Sequence, residues 1–171
     1  MTMELKNQEC PICREKKLTL REDEMDIPHF GLTYIFTMIC EGCGYRKADV
    51  ESAEQKEPSR CTFEVSDDKD LNVRVIKSSE AVVKIPYIMT IESGPSSEGY
   101  VTNIEGLLVR VKEVLESTMN AEEEEDDKKK LRNLIKKVSR AMVGREKLKI
   151  IIEDPTGNSA IISEKTQKTK L

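Results

Sequence analysis

CPICREKKLTLREDEMDIPHFGLTYIFTMICEGC, residues 10–43, starts on one Cys-x2-Cys pair and ends on another, with 26 residues between the pairs. Zinc takes four soft ligands at the corners of a tetrahedron. A Cys-x2-Cys knuckle turns two sulfurs to one side while its backbone amides point back toward them. Gly44, directly after the second pair, relieves crowding where the chain must turn tightly. The gap is longer than in a compact finger and suits a ribbon, whose two knuckles sit on separate hairpins. A redox pair would instead open a helix after a strand, which lowers the pKa of its first thiol. Cys10 follows a polar leader and precedes charged residues without helical periodicity. The expected site is therefore a structural Zn2+ held by Cys10, Cys13, Cys40 and Cys43. Four sulfurs close the shell and leave no position for a reactive water, which argues against metal-assisted hydrolysis.

Within this stretch LTYIFTMI (32–39) alternates as a strand does. Tyr34, Phe36 and Met38 share one face, Ile35, Thr37 and Ile39 the other, and Leu18 and Leu20 mark an earlier strand. A module of about 50 residues has too little core to fold alone, so metal is expected to supply the missing stabilisation. Cys61, the fifth cysteine, reads as a small buried hydrophobe. The single histidine, His29, lies in the other module within IPHFG and reads as a packing or surface hydrogen-bonding residue.

The 171 residues suit one domain plus a small module. An apolar fraction of 37% with 35% charged residues permits a modest core, and 4% aromatics without Trp gives no stacking platform for single strands. A net charge of −4 does not steer the chain toward phosphate backbones. A nucleic-acid reading would rest on Arg46 and Lys47 beyond the second knuckle, with Asp49 and Glu51 opposing it. There is no signal-peptide run and no membrane-spanning stretch. Close cysteine pairs suit metal in a reducing compartment, so the expectation is a soluble, cytoplasmic protein.

Beyond residues 1–50, the ribbon, the segment 51–60 reads as a connector and 51–171 as a second, mostly β domain. Short strands at CTFEV (61–65), LNVRVI (71–76), AVVKI (81–85) and YIMTIE (87–92) suggest an antiparallel sandwich or barrel. A helical hairpin over about 103–143 interrupts them. Its first stripe is Ile104, Leu107, Leu108, Val111, Leu115, Thr118 and Met119, with Thr102 and Glu105 as a capping box. Its second is Leu131, Leu134, Ile135, Val138 and Met142, stopped by Gly144. EEEEDDKKK (122–130) reads as an acidic helix start with Glu124–Lys128, Glu125–Lys129 and Asp126–Lys130 at i,i+4 spacing. The stripes suit either a second chain or the chain's own β domain. Strand character returns at LKIII (148–152) and AIIS (160–163), and a flexible basic tail is expected over about 164–171.

Asp154-Pro155-Thr156-Gly157 reads as a turn: Asp bonds local backbone, Pro fixes φ, and Gly accepts an unusual φ. Asn158 and Ser159 satisfy neighbouring backbone groups. An enzyme would need Asp154 as base beside Thr156 or Ser159, with no adjacent histidine or lysine to complete a relay.

Several blocks in order resemble the ZPR-type zinc-finger family in a single-module archaeal form. They are CPIC (10–13), DIPHFG (26–31), CEGCGYRKADV (40–50), DLNVRVIKSS (70–79), GYVTNIEGLL (99–108) and EDPTGNSAI (153–161). The resemblance implies a mostly β (α+β) fold: a four-cysteine zinc ribbon followed by a double-stranded β-helix-like domain carrying a helical hairpin. It also implies Zn2+ on the four cysteines, no catalytic residues, and a binding role. Eukaryotic members, which carry two such modules, associate with translation elongation factor 1-alpha and assist its folding. That partner is the implied one here.

Overall fold

The computed structural model describes residues 2–28, 30–54, 56–94 and 96–171. His29, expected to pack or bond at the surface, lies outside the described residues.

The first half is a four-stranded antiparallel sheet. Its strands are β1 (Met3–Gln8), β2 (Leu18–Ile27), β3 (Gly31–Cys40) and β4 (Arg46–Ser52), in that spatial order. β2 and β3 pair without a break from Leu18–Cys40 to Ile27–Gly31, so the charged run 21–26 is strand, its side chains mostly toward water. β1 is the element that the polar leader concealed. All six of its residues are exposed, and it is held through edge pairing with β2.

The second half is a sandwich. One sheet runs β12 (Gln167–Lys170), β5 (Ser59–Val65), β10 (Leu148–Asp154), β7 (Val82–Ile85), β8 (Met89–Ile91). The other runs β11 (Ala160–Ile162), β6 (Arg74–Lys77), β9 (Tyr100–Asn103). Every pairing is antiparallel. The period of two puts Cys61, Phe63 and Val65 of β5 and Leu148, Ile150 and Ile152 of β10 into one core. Leu71 and Asn72, expected to begin a strand, instead lie in a 3-10 helix, Asp68–Asn72, whose cap Asp67 accepts bonds from the Lys69 and Asp70 amides.

The hairpin comprises α1 (Ile104–Ala121) and α2 (Glu125–Ala141). Ile104, Leu107, Leu108, Val111 and Leu115 of α1 are buried in the sandwich core, with Val138 and Ala141 of α2 beside them. Both stripes therefore serve the chain's own β domain. Two local expectations are corrected. The N-cap is Asn103, whose Oδ1 accepts the Gly106 N–H at 2.8 Å, because Thr102 is already committed to β9 opposite Val75. The acid–lysine pairs fall at i,i+3, Glu125–Lys128 at 3.5 Å and Asp127–Lys130 at 2.7 Å, because Glu122–Glu124 form the link between the helices. No described helix is long and apolar enough to cross a membrane.

The C-terminal segment expected to be flexible is instead ordered as β12, paired with β5 from Gln167–Thr62 to Lys170–Ser59. Ion pairs help to hold it, among them Lys165 on Asp70 at 2.8 Å and Lys170 on Glu57 at 2.5 Å. Polarity suggested fraying, but β5 offers an open edge whose backbone groups need partners.

A polar seam joins the halves. Asp154 is fully buried, and both its oxygens are engaged. Oδ2 accepts from Ser78 Oγ (2.9 Å) and Ser159 Oγ (2.5 Å), and Oδ1 from Thr156 N (2.8 Å) and Oγ1 (2.7 Å). Gly157 takes φ +69°, and a Cβ there would meet the Glu57 carbonyl oxygen at 2.4 Å. Asn158 Oδ1 accepts the Ser52 N–H of β4 at 3.0 Å. Asp49 of β4 accepts from Ser79 Oγ at 2.9 Å, and Gly99 N–H donates to Ala48 O at 3.0 Å. Beside these bonds Ile27, Phe30 and Val50 pack on Ile76 and Ala160. Residues 155–159 turn from β10 into β11, and the turn is also a fastener.

Asp154→Ala, which strands Ser78, Ser159 and Thr156 donors, is expected to destabilise the chain by about 3 kcal/mol in chemical denaturation. A cost below about 1 kcal/mol would deny the seam this role. A second prediction concerns Asp70. Burial raises its pKa, but bonds from Lys165, Ser66 and the Asp67 amide outweigh that and hold it below the ordinary carboxylate value. Its stabilisation is thus complete above the ordinary value and is lost as pH falls through the depressed one. The stability gap between the native chain and Asp70→Asn should shrink as pH drops below about 4. A pH-independent gap would contradict this.

Candidate metal centre

Two knuckles of matching construction face one another. In the first, Cys10 N–H donates to Glu15 O (3.0 Å) and Arg14 N–H to Cys10 O (2.9 Å). In the second, Cys40 N–H donates to Tyr45 O (2.8 Å) and Gly44 N–H to Cys40 O (3.0 Å). Each therefore turns through a residue at positive φ four positions after its first cysteine: Arg14 at 61° and Gly44 at 74°. The turn geometry is the same, so Arg14 holds a left-handed conformation that glycine takes without cost. Glu41 N–H donates to Lys17 O at 3.1 Å and ties the second knuckle to the start of β2.

The four sulfurs lie within 4.8 Å of one another. Cys10 to Cys43 and Cys13 to Cys40 are each 3.7 Å. A tetrahedron with zinc–sulfur bonds of about 2.3 Å has edges of about 3.8 Å, so the donor set fits zinc in spacing as well as softness. Cys10 and Cys40 are buried beside Leu18, with Leu20, Met38 and Tyr45 around them, and Cys43 reaches the surface. The centre thus forms the end of the ribbon's own small core.

Proton affinities describe the same crowding. Burial raises the Cys10 thiol, but the Cys13 and Ile12 amides and the neighbouring sulfurs outweigh it and bring it to about 7. The Glu15 amide favours the Cys13 thiolate, yet burial and the three adjacent sulfurs push that thiol up to about 12. Cys43 is raised as well, against its amide bond from Tyr45, by burial and by Cys10 and Cys40. One thiolate forms readily and then opposes the next. A divalent cation removes that opposition.

The remaining sequence candidates do not assemble around this centre. Cys61 is buried in the sandwich core. Asp154, the carboxylate offered as a base, spends both oxygens on four donors. Arg46 is exposed on β4, but Asp49 on the same strand is engaged by Ser79. Sequence reasoning missed the seam formed by Asp49, Ser78, Ser79 and Asp154. Its signal is the Lys77-Ser78-Ser79 run, three buried polar residues directly after Val75 and Ile76.

Residues 3–58 match the ZPR1 zinc-finger domain and residues 69–171 the ZPR1 jelly-roll domain. A ZPR1-like protein of Methanocaldococcus jannaschii is 39% identical over 158 residues, covering 91% of this chain and 80% of that one. A ZPR1-like protein of Pyrococcus horikoshii is 39% identical over 174 aligned positions, covering 98% and 78%. A zinc finger chaperone of Schizosaccharomyces pombe is 36% identical over 139 residues, which is 79% of this chain but 30% of that longer relative. Sulfur geometry, the ribbon-then-sandwich order and these matches converge, and the chain belongs to the ZPR1 zinc-finger family.

Proposed function

We propose that Cys10, Cys13, Cys40 and Cys43 ligate one Zn2+, and that the loaded chain is a cytoplasmic protein-binding module rather than an enzyme. Its client in this reading is translation elongation factor 1-alpha, which it binds or helps to fold. The observation that carries the proposal is the closed four-sulfur cluster, which stiffens a surface and offers no open coordination position for chemistry. The yeast relative's name, zinc finger chaperone, supports a protein client, and the resemblance of the sequence blocks supplies the elongation factor.

The surface beside the cluster suits such a role. Leu5, Leu20 and Met38 align across β1, β2 and β3, and Met3, Glu22 and Phe36 form the next row. Met3 and Leu5 are 54% and 48% exposed. An apolar strip standing open next to a rigid metal knuckle favours contact with another protein. The nucleic-acid alternative rests on Arg46 and Lys47 alone, against Glu51, the net charge of −4 and the engagement of Asp49.

Purified chain is expected to contain about one zinc, and Cys13→Ser to lose it. The zinc-loaded chain should bind elongation factor 1-alpha and raise its recovery of nucleotide binding after dilution from denaturant, and the chelated chain should not. A zinc-loaded chain that neither binds the factor nor changes its recovery would overturn the client. Salt-sensitive RNA binding in its place would favour the alternative.

A further inference from the structure

Two buried hydroxyls among the described residues lack a hydrogen-bond partner, Ser59 Oγ and Thr166 Oγ1. Both lie at one corner of the sandwich. A cavity of about 530 Å3 opens there, between β5, the β11–β12 segment and Phe30 of the ribbon, with Thr166 in its wall. A recess of about 310 Å3 adjoins it, shares Lys56 and Lys168 with it, and includes Ser59. Buried polar groups without partners are uncommon, and these two mark a corner of the sandwich that is less tightly satisfied than the rest.

The charges point the same way. Lys168 stands opposite Cys61 in the β12–β5 register, on the face where β5 buries Cys61, Phe63 and Val65. β12 is exposed along its length, so Lys168 lines the cavity while its ammonium stays open to water. Lys56 Nζ donates to Phe30 O at 2.8 Å and sits 3.4 Å from the Phe30 ring centroid. Among the described residues neither lysine forms an ion pair, although Lys165 and Lys170 on the same segment do. Burial lowers the Lys56 pKa and the charge of Lys168 lowers it further, so the two ammonium groups are near enough to repel. Glu164 lines the cavity and Glu54 acts on Lys56 from nearby, yet neither bridges to either lysine. Ala160, Ile161 and Ile162 add apolar lining.

We propose that this cavity binds a small molecule carrying an oxyanion, carboxylate or phosphate, on a compact apolar body. Lys56 and Lys168 meet the oxyanion, and the apolar part lies between Phe30 and Ile161. The volume falls in the ordinary range for small-molecule sites. A lysine on an edge strand also guards that edge against pairing with another chain. That role accounts for Lys168 alone, and leaves the cavity and Lys56 without explanation. Phe30 and Lys56 come from the ribbon side and Thr166 and Lys168 from the sandwich, so an occupant bridges the two halves.

The test is a titration of the 15N-labelled, zinc-loaded full chain with benzoate, phenyl phosphate and inorganic phosphate, followed by amide shifts. Saturable changes are expected at Lys56, Cys61, Thr166 and Lys168 with benzoate or phenyl phosphate, and the stronger of the two identifies the oxyanion. Inorganic phosphate should bind more weakly than phenyl phosphate. Lys56→Ala and Lys168→Ala, checked for folding by their melting curves, should each weaken binding about tenfold. Lys84→Ala, on a lysine paired with Glu153, should leave it unchanged. No saturable response to any probe at millimolar concentration would overturn the proposal. So would unaltered binding by a folded Lys168→Ala variant that self-associates, since Lys168 would then be an edge guard. Equal binding of inorganic and phenyl phosphate would remove the apolar half of the site.

Discussion

Everything in the ribbon depends on four sulfur atoms being drawn to one point. The buried apolar residues there are few: Leu18, Ile27, Phe30 and Val50. At about 1.5–3 kcal/mol for each buried side chain, they do not offset the entropy of ordering some 50 residues. Structural zinc contributes on the order of 10–16 kcal/mol, as much as or more than those four side chains together. The clamp also sets register. Cys40 pairs with Leu18 at the start of the β2–β3 ladder, so fixing the knuckles fixes the nine rungs that follow. The result is a sheet whose stiffness comes from one end and whose open face remains available for contact.

The second dependence is the seam. A ribbon fixed only to itself would be a loose appendage. Here Ser52 meets Asn158, Asp49 meets Ser79, and Asp154 gathers Ser78 and Ser159 behind them. Polar contacts of this kind add little net stability when satisfied and cost much when broken. They therefore specify one orientation more than they strengthen it. Lys77, its pKa lowered by burial and supported by Asp154 and Asp49, sits in the same layer and donates to Ser78 O at 2.9 Å. The apolar residues of the join, Phe30 and Ala160, also wall the cavity, so orientation and pocket are settled together.

The zinc cluster and the helical hairpin are legible in the sequence because spacing determines them: two knuckles at fixed separation, and two stripes at helical period. The sandwich strands are legible as strands, since β-branched runs alternate between inside and outside. Their partners are not, because antiparallel pairing across 80 residues leaves no local trace. β1 and β12 escape for one shared reason. Both are polar edge strands, and their order comes from a neighbour's unpaired backbone rather than from burial of their own side chains. The capping shift from Thr102 to Asn103 is smaller in kind: two adjacent good caps compete, and strand pairing of the first decides. The role of Asp154 beyond its own turn was hidden, because its partners Ser78 and Ser159 are brought to it only by the fold.

The central claim is that metal, not apolar burial, holds the ribbon in its fold. Amide hydrogen exchange on the full chain, with zinc and after chelation under reducing conditions, tests it most directly. On metal removal, protection should collapse along Leu18–Ile27 and Gly31–Cys40 while Phe63, Leu107 and Ile150 of the sandwich core keep theirs. Unchanged protection of the ribbon amides in metal-free protein would contradict the account.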